Sequence, residues 1–407
     1  MNVVVIGAQW GDEGKGKIVD FLASEADVVV RFSGGANAGH TIVRGDNTYK
    51  LHLVPSGVLY EDTRVVLGSA MVIDPEALKK ELTTISDQGV VWSGRVFVSD
   101  RAHIVLPRHR EEDRQMDEQR DQPIGTTGRG IGTAYAAKSR RDGVRVADVL
   151  DPQSFGRMPE EDRRFLEPYR EFFAAAAVNV HEFIHQHAGD HVLLEGAQGA
   201  LLDIDLGTYP YVSSGISAAA GACPGAGLGP KELDRIIGVC KAYTTRVGNG
   251  PFPTEFREGR DKDLGDRIRE IGNEYGVTTG RPRRCGYLDL VALRYTCRAN
   301  SIDSLALTHL DVYDSFDEVK ACVGYRIDGV ISKEFPASIS ALERVEPVLE
   351  TFPGWKTPID EISRFEALPA AAREYVAFIE EYTGSRIDIV SVGSERRQTI
   401  VRRDPWS

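Results

Sequence analysis

Short apolar, β-branched runs alternate along the whole chain with longer stretches in which apolar residues recur at helical spacing. The strand-like runs are 2–6, 27–32, 63–68, 191–195, 235–241, 304–308, 318–324 and 386–391. The helical patterns are 15–24, 75–86, 162–187, 262–275, 287–299 and 369–383. This alternation predicts an α/β fold with a large, mainly parallel central β-sheet flanked by helices.

Four stretches lack regular apolar spacing and are rich in Gly, Thr, Ser or Arg. They are 33–40, 125–133, 196–230 and 276–286. Compact enzymes place ligand-binding loops in segments of this kind. Because no repeat or low-complexity linker divides the chain, we expect one domain over 1–407, with loop and helical excursions.

Charge and composition narrow the class of protein. The 61 acidic and 49 basic residues give a net charge of −12, without a Lys/Arg-rich run, so nucleic acid is not an expected partner. No stretch approaches the roughly 18 apolar residues of a membrane helix, and the chain opens on a strand-like run. The 5 cysteines form no C-x-x-C pair, which favours a reducing, cytoplasmic location over a disulfide or cysteine-zinc framework.

A phosphate loop follows the first predicted strand. Within GDEGKGK at 11–17, Gly11, Gly16 and Lys17 satisfy the spacing G-x-x-x-x-G-K. Glycines let backbone N–H groups approach phosphate oxygens, the following helix adds a favourable dipole, and the lysine adds a positive charge. The segment therefore predicts nucleotide binding.

The residue after this lysine is Ile18, where ordinary phosphate loops place a hydroxyl that binds Mg²⁺. A different metal ligand is needed, and Asp12 is the obvious hard-oxygen candidate. A carboxylate among phosphates also repels them, which suggests a second role for Asp12 in proton abstraction.

Seven segments carry a resemblance to one family, and in this order they span nearly the whole chain. They are VVVIGAQWGDEGKGKIVD at 3–20, GGANAGHT at 34–41, IGTTGRGIG at 124–132, EGAQGALLDIDLGTYPYV at 195–212, KAYTTRVGNGPFPTE at 241–255, TTGRPRRCGYLDLVALR at 278–294 and LTHLDVYD at 307–314. The chain resembles the adenylosuccinate synthetases, GTP-dependent ligases of purine biosynthesis that join IMP to L-aspartate.

The resemblance implies a two-step reaction. GTP phosphorylates the 6-oxygen of IMP, and the amine of aspartate then displaces that phosphate to give adenylosuccinate, GDP and phosphate. By resemblance, Asp12 removes the N1 proton of IMP, and His40 donates to the transferring phosphoryl group. One Mg²⁺ per subunit would be bound by Asp12 and Gly39.

The family's binding positions carry over to matched residues of this chain. Those for GTP are Gly11, Asp12, Glu13, Gly14, Lys15, Gly16, Lys17, Gly39, His40, Thr41, Arg283, His309, Leu310, Asp311, Ser391, Val392 and Gly393. Those for IMP are Asp12, Glu13, Gly14, Lys15, Asn37, Ala38, Gly39, His40, Thr127, Arg141, Gln198, Ser213 and Arg281. Those for aspartate are Val277, Thr278, Thr279, Gly280, Arg281, Pro282 and Arg283. By resemblance, Arg141 reaches the neighbouring active site of a homodimer.

The chain departs from the family pattern at three places. Ser213 replaces a usual Thr and keeps the hydroxyl, but the residues after it, 215–220, do not match. The guanine-reading motif T-K-L-D is THLD, so His309 replaces the Lys that packs on the base while Asp311 is kept. Thr133 replaces Pro in IGPAY, which changes loop stiffness rather than chemistry.

Two other functions fit parts of the sequence. HEFIH at 181–185, with His191 beyond it, has the form of a zinc-protease site. Against this, the glycine of that motif is displaced to Gly189, and we expect 162–187 to be an amphipathic surface helix. A regulatory GTP switch would use the phosphate loop and THLD, but it needs a Mg²⁺-binding hydroxyl where Ile18 stands.

Overall fold

The computed structural model describes residues 1–44, 47–119, 125–259, 261–276 and 280–407. Its strands are β1 (Asn2–Gly7), β2 (Val28–Gly34), β3 (His40–Arg44), β4 (Asn47–Leu51), β5 (Arg64–Ile73), β6 (Val96–Ser99), β7 (His103–Ile104), β8 (Ala177–Val178), β9 (Val192–Gly199), β10 (Arg235–Lys241), β11 (Thr244–Arg246), β12 (Arg284–Gly286), β13 (Leu288–Asp289), β14 (Ser304–Thr308), β15 (Glu318–Ile327), β16 (Val330–Ser332), β17 (Glu346–Pro353), β18 (Arg386–Ser391) and β19 (Thr399–Val401). Its α-helices are α1 (Lys15–Ala23), α2 (Pro75–Asp87), α3 (Pro107–Glu118), α4 (Ile131–Arg140), α5 (Val146–Leu150), α6 (Pro152–Arg157), α7 (Glu160–Leu166), α8 (Arg170–Ala176), α9 (Val180–Gln186), α10 (Ala222–Ala226), α11 (Lys262–Ile271), α12 (Leu290–Ala299), α13 (Ile339–Glu343) and α14 (Ala370–Thr383).

The large sheet has the strand order β19-β18-β14-β10-β1-β9-β2-β5-β6-β8, with β7 paired to β5. Its strands pair in parallel except for the antiparallel edge strand β19. Apolar side chains of β1 point alternately into two cores, Val4 and Ile6 into one and Val3 and Val5 into the other. Burial on both faces explains why the strands of this sheet read as continuous apolar runs. The predicted α/β fold with a mainly parallel sheet is confirmed.

Seven of the eight predicted strands lie in this sheet, and the eighth does not. The run 318–324 begins β15, which pairs with β13, β16 and β17 in a separate small sheet. The pairs with β16 and β17 are antiparallel. A short apolar run marks a strand but carries no information about which sheet it joins.

The predicted helix 162–187 is wrong. The structure divides it into α7, α8 and α9, with the two-residue strand β8 between α8 and α9. Pro168 has no N–H for a continuous helical ladder, and Ala177–Val178 instead pair in parallel with Val98–Ser99 at the end of the large sheet. Tertiary strand pairing therefore overrides the local preference of an Ala-rich segment for helix.

No helix in the described part of the chain combines the length and apolar character required to cross a membrane.

The start of α12 contains a buried carboxyl group whose titration should affect stability. Asp289 accepts hydrogen bonds from the backbone N–H of Ala292 at 3.1 Å and from the hydroxyl of Tyr325 at 2.6 Å. Burial raises the pKa of Asp289 from 3.8 to about 6. Between these values the folded chain holds a proton that the unfolded chain has released, so stability is lost as the pH rises through this window.

We expect Asp289→Asn to remove this dependence while keeping the helix cap, since Asn also caps helices. From pH 4 to 7, the free energy of unfolding of the wild type should fall by about 3 kcal/mol relative to the variant. Urea unfolding of both proteins at several pH values measures the difference. A difference that stays constant with pH would contradict the role given to Asp289.

Candidate active site

The phosphate loop lies between β1 and α1, at the centre of the large sheet. Gly14 precedes the helix with φ of 81°, a left-handed conformation that suits glycine. The Glu13 carboxylate turns back into the loop and accepts from the N–H of Gly11 at 2.8 Å, and Lys15 Nζ lies 3.3 Å from its other oxygen. A Cβ at Gly7 would lie 2.4 Å from this buried carboxylate, so only glycine leaves room for it. The loop therefore carries its own internal anion.

Asp12 lies at the mouth of this loop. Its side chain is 32% exposed, and Oδ2 lies 2.6 Å from Nε of Arg283. Gly39 lines the same cavity. Within the described ranges no group of three or more His, Cys, Asp or Glu side chains could hold a metal ion. Mg²⁺ in nucleotide sites is usually held by one or two carboxylates together with substrate phosphates, so the partly exposed Asp12 carboxylate at the mouth of the phosphate loop fits this ion.

His40 faces the loop from the start of β3 and is 8% exposed. Its Nδ1 lies 2.9 Å from Oε1 of Glu195, a fully buried residue of β9. Burial opposes ionisation of Glu195, but His40 and Arg31 outweigh it, so its pKa is lowered. A carboxylate at Nδ1 orients the imidazole and leaves the other ring nitrogen for a ligand. The structure thus brings His40 together with Asp12 and adds Glu195, which sequence reasoning had not singled out.

Two adjoining cavities contain most of the predicted site residues. One, of about 490 Å³, is lined by the phosphate loop together with Asn37, Ala38, Gly39, His40, Thr41, Gln198, Arg283 and His309. The other, of about 210 Å³, is lined by Asn37, Thr127, Gln198 and Ser213 among others. Because Asn37 and Gln198 line both, a ligand in one cavity lies next to a ligand in the other.

Unpaired polar atoms mark the smaller cavity as a polar site. Asn37 Oδ1, Gln198 Nε2 and Ser213 Oγ are buried and form no hydrogen bond with the described residues. Gln198 also has φ of 56°, an uncommon conformation for a residue with a side chain. Burying an unpaired polar group costs about 1–3 kcal/mol, so a ligand with hydrogen-bonding edges would stabilise this arrangement.

The far end of the larger cavity is formed by the segments after β14 and β18. Burial raises the pKa of the Asp311 carboxyl to about 6. Lys17 does not point toward the middle of the loop; its Nζ donates to Ser391 Oγ at 2.7 Å and to the carbonyl of Gly393 at 2.8 Å. The predicted guanine-binding positions are thus adjacent to a lysine of the phosphate loop.

Next to Asp311, His309 ends a chain of hydrogen bonds that fixes its tautomer. Glu274 is fully buried and accepts from both Lys241 Nζ and the Tyr243 hydroxyl. Since that hydroxyl gives its only proton to Glu274, it must accept from Nδ1 of His309, 3.3 Å away. Burial and Lys241 lower the pKa of His309 to about 3, so the ring is neutral. His309 therefore presents an unprotonated Nε2, an acceptor at the position where the family has a lysine cation.

The predicted aspartate loop is only partly described. Val277, Thr278 and Thr279 lie outside the described residues. Gly280, Arg281 and Pro282 are exposed, and Arg283 bridges Asp12 and Glu274, donating to the latter at 2.9 Å. Burial opposes ionisation of Glu274, but Lys241 outweighs it and its pKa is lowered to about 2. This carboxylate, another residue that sequence reasoning missed, holds Arg283 next to Asp12.

Other predicted residues lie where the structure gives them no part in either cavity. Arg141 follows α4 with φ of 71°, is exposed, and lines neither cavity. His181 and His185 of the HEFIH motif direct Nδ1 to the carbonyls of Gly227 and His181, and the ring of His191 stacks on Trp406 at 4.6 Å. The three histidines are not brought together as a zinc site.

Fold and site together define a nucleotide-binding α/β enzyme with a carboxylate in its phosphate loop and a second polar cavity next to it. A family model for adenylosuccinate synthetase matches residues 4–400. The chain belongs to the adenylosuccinate synthetase family. It is a GTP-dependent ligase that converts IMP and aspartate to adenylosuccinate.

Individual relatives agree with this assignment. The adenylosuccinate synthetase of Desulforamulus reducens is 47% identical, with 99% of each chain covered. That of Prochlorococcus marinus strain MIT 9313 is 48% identical, covering 99% of this chain and 97% of the relative. The solved, fully ligated enzyme of Plasmodium falciparum is 38% identical with a TM-score of 0.91, covering 98% of this chain and 99% of that one. Succinoaminodeoxyadenylate synthetase of cyanophage S-2L, at 20% identity and a TM-score of 0.64, shows the fold alone.

Proposed function

We propose that the reaction proceeds through 6-phosphoryl-IMP, with GTP in the cavity of the phosphate loop and IMP in the polar cavity next to it. The observation that carries this proposal is the shared wall of the two cavities at Asn37 and Gln198. We place the purine so that its edge meets these two amides and its 6-oxygen faces the phosphate loop. The γ-phosphate of GTP would then be the nearest electrophile.

In the first step Asp12 takes the N1 proton of IMP, and the electrons move onto the 6-oxygen. This oxygen attacks the γ-phosphorus, and the bond to the β-phosphate oxygen breaks to release GDP. His40, oriented by Glu195 at 2.9 Å, donates to the transferring phosphoryl group as negative charge develops there. In the second step the amine of aspartate attacks C6, phosphate leaves, and the nitrogen loses a proton.

Asp12 and the Gly39 carbonyl would hold Mg²⁺, which offsets charge on the GTP phosphates when bound. For the first step, the ion pair between Asp12 and Arg283 would have to break, because Asp12 must then bind Mg²⁺ and accept the N1 proton. Arg283 would meet the substrates, while Arg281 would bind an aspartate carboxylate through its planar, two-pronged guanidinium. Val277, Thr278, Thr279, Gly280 and Pro282 complete the proposed aspartate loop.

We also propose that the chain acts as a homodimeric, single-domain enzyme of the cytoplasm. Its 5 cysteines are all free, as a reducing compartment favours. The proposed site draws residues from Gly11 to Gly393, which favours one domain spanning the chain. Arg141 lies outside both cavities, in agreement with a role in a partner's active site.

Substrate omission tests the proposed reaction. Purified chain with IMP, aspartate, GTP and Mg²⁺ should change the ultraviolet spectrum of the purine and consume GTP one-to-one with product. Omitting any one component should stop product formation. Oxygen-18 placed at the 6-position of IMP should appear in the released phosphate, because the 6-oxygen leaves with it. Label retained in the purine would exclude the 6-phosphoryl intermediate.

The role of Arg141 can be tested by mixing two damaged proteins. Asp12→Asn and Arg141→Leu should each be impaired alone. In a heterodimer, one of the two sites regains both residues, so equilibrated mixtures should recover up to about a quarter of wild-type activity. Native mass spectrometry confirms subunit exchange, and Arg140→Leu serves as the matched control. Exchange without recovery would show that Arg141 does not act across the dimer.

A further inference from the structure

Lys17 occupies the lysine position of the phosphate loop but is bonded elsewhere. Its Nζ donates to Ser391 Oγ at 2.7 Å, to the Gly393 carbonyl at 2.8 Å and to the Gln398 carbonyl at 2.9 Å. An ammonium group has three N–H donors and no acceptor. All three donors are therefore directed into the segment 391–398, which follows β18.

The other lysine of the loop is bonded differently. Among the described residues, Lys15 Nζ has one hydrogen-bond partner, the Glu13 carboxylate at 3.3 Å, and Lys15 lines the larger cavity. It retains donors that can reach a phosphate oxygen. The two lysines, only two positions apart, thus face different parts of a nucleotide.

The segment 391–398 is a closed loop built around the Lys17 ammonium. Ser391 Oγ donates to the Gly393 carbonyl at 3.0 Å, and the N–H of Val392 donates to the Gln398 carbonyl at 3.0 Å. Two carbonyls of this loop therefore receive a second hydrogen bond from Lys17. Removing the ammonium would leave these acceptors less satisfied and the loop free to open toward solvent.

A second contact fixes the other side of the same loop. Arg396 donates to the Phe21 carbonyl at 3.2 Å near the end of α1, and its guanidinium also contacts Ser24 and Tyr60. Helix α1 therefore contacts the loop 391–398 from both ends of the helix: Lys17 lies in the first turn of α1, and the Phe21 carbonyl lies near its last turn. The position of the loop relative to the phosphate loop is set by these contacts.

We propose that Lys17 is a positioning residue for the guanine end of GTP rather than a phosphate ligand. The inference rests on the proposed function and on the assignment, by resemblance, of Ser391, Val392 and Gly393 to the bound GTP, whose guanine base they would contact. Lys17 holds these three residues at a fixed distance from the phosphate loop. This distance must match the distance between the base and the triphosphate of the bound GTP. Lys15 takes over the contact with phosphate that a loop lysine usually makes.

Guanosine separates the two possible roles because it carries the base without any phosphate. Its inhibition constant against GTP, and that of inorganic tripolyphosphate, can be measured in steady-state assays. Lys17→Met should weaken the binding of guanosine and of GTP by the same factor, about 10- to 100-fold for loss of a charge-assisted contact. The inhibition constant of tripolyphosphate should not change. The KM for IMP should not change. Lys15→Met, the matched control, should weaken tripolyphosphate and GTP but not guanosine.

The opposite pattern would overturn the inference. If Lys17→Met binds guanosine like the wild type while GTP and tripolyphosphate weaken, Lys17 is a phosphate ligand. Lys17→Gln keeps two N–H donors and provides a milder variant if Lys17→Met does not fold. It should weaken the binding of guanosine and of GTP by the same factor, which should be smaller than for Lys17→Met. If the wild type itself neither consumes GTP with IMP and aspartate nor binds guanosine, the proposed function fails, and the inference fails with it.

Discussion

Replacing Asp12 by Asn should lower turnover by at least ~10²-fold at saturating Mg²⁺, the low end for loss of a general base. The substitution keeps the size of the side chain and removes both its charge and its ability to accept a proton. Asp12 is the partly exposed carboxylate of the phosphate loop; it lines the larger cavity, and its Oδ2 lies 2.6 Å from Arg283 Nε. Steady-state kinetics with all three substrates at saturation measures the loss.

Two controls separate chemistry from folding and binding. Asp62→Asn makes the same change at an exposed residue away from both cavities and should leave turnover unchanged. IMP binding to Asp12→Asn, measured by calorimetry, should persist, because the substitution leaves in place the proposed IMP contacts that line the other cavity, Asn37, Thr127, Gln198 and Ser213. Turnover near that of the wild type in Asp12→Asn would refute its role as base.

The second large effect concerns the choice of nucleotide. Guanine has two adjacent donors, N1–H and the 2-amino group, and an ionised carboxylate can accept both. Asp311→Asn turns one acceptor into a donor, which suits xanthine because its position 2 carries an oxygen. The variant should lose most of its activity with GTP and gain relative use of XTP. Values of kcat/KM for GTP, ATP and XTP on both proteins measure the change.

The pKa of Asp311 provides an internal check on this prediction. Since burial raises it to about 6, the carboxyl group takes up a proton as the pH falls through 6 and can no longer accept from both donors. In the wild type, kcat/KM for GTP should therefore fall below about pH 6, and the Asp311→Asn variant should lack this step. Asp62→Asn, the exposed control used above, should keep this step. A GTP-to-XTP preference that Asp311→Asn leaves unaltered would exclude the carboxylate from base recognition.

The sequence alone was sufficient to predict the bounds of strands that are buried on both faces. β10, β14 and β18 have the predicted bounds, 235–241, 304–308 and 386–391, because strands buried on both faces are continuous apolar runs between polar loops. The start of α2 was equally readable, since Asp74 caps it by accepting from Glu76 and Ala77. The phosphate loop was found because its chemistry depends on residues adjacent in the chain.

The features that the sequence did not predict depend on contacts between residues distant in the chain. Nothing within 162–187 shows that Ala177 will pair with β6, so one helix was predicted where the structure has three. Glu195 and Glu274 could have been noticed as charges in or near apolar segments, since a fully buried carboxylate needs a charged or hydrogen-bonded partner. Their partners, His40 and Lys241, lie 155 and 33 positions away, and no local pattern identifies such pairs.

The strand order also affects how the enzyme's two substrate preferences, for the nucleotide that donates phosphate and for the purine that receives it, can change by mutation. On one side of β1, the strands β10, β14 and β18 lead to the residues proposed for the phosphoryl donor; on the other side, β9 and β2 lead to those proposed for the acceptor. The loop after β1 belongs to both, and so do Gly39 and His40, which follow β2. Outside these shared residues, mutations that change which nucleotide donates phosphate should therefore lie near different strands from mutations that change which purine receives it. Either preference can evolve, or be redesigned, while the other is retained.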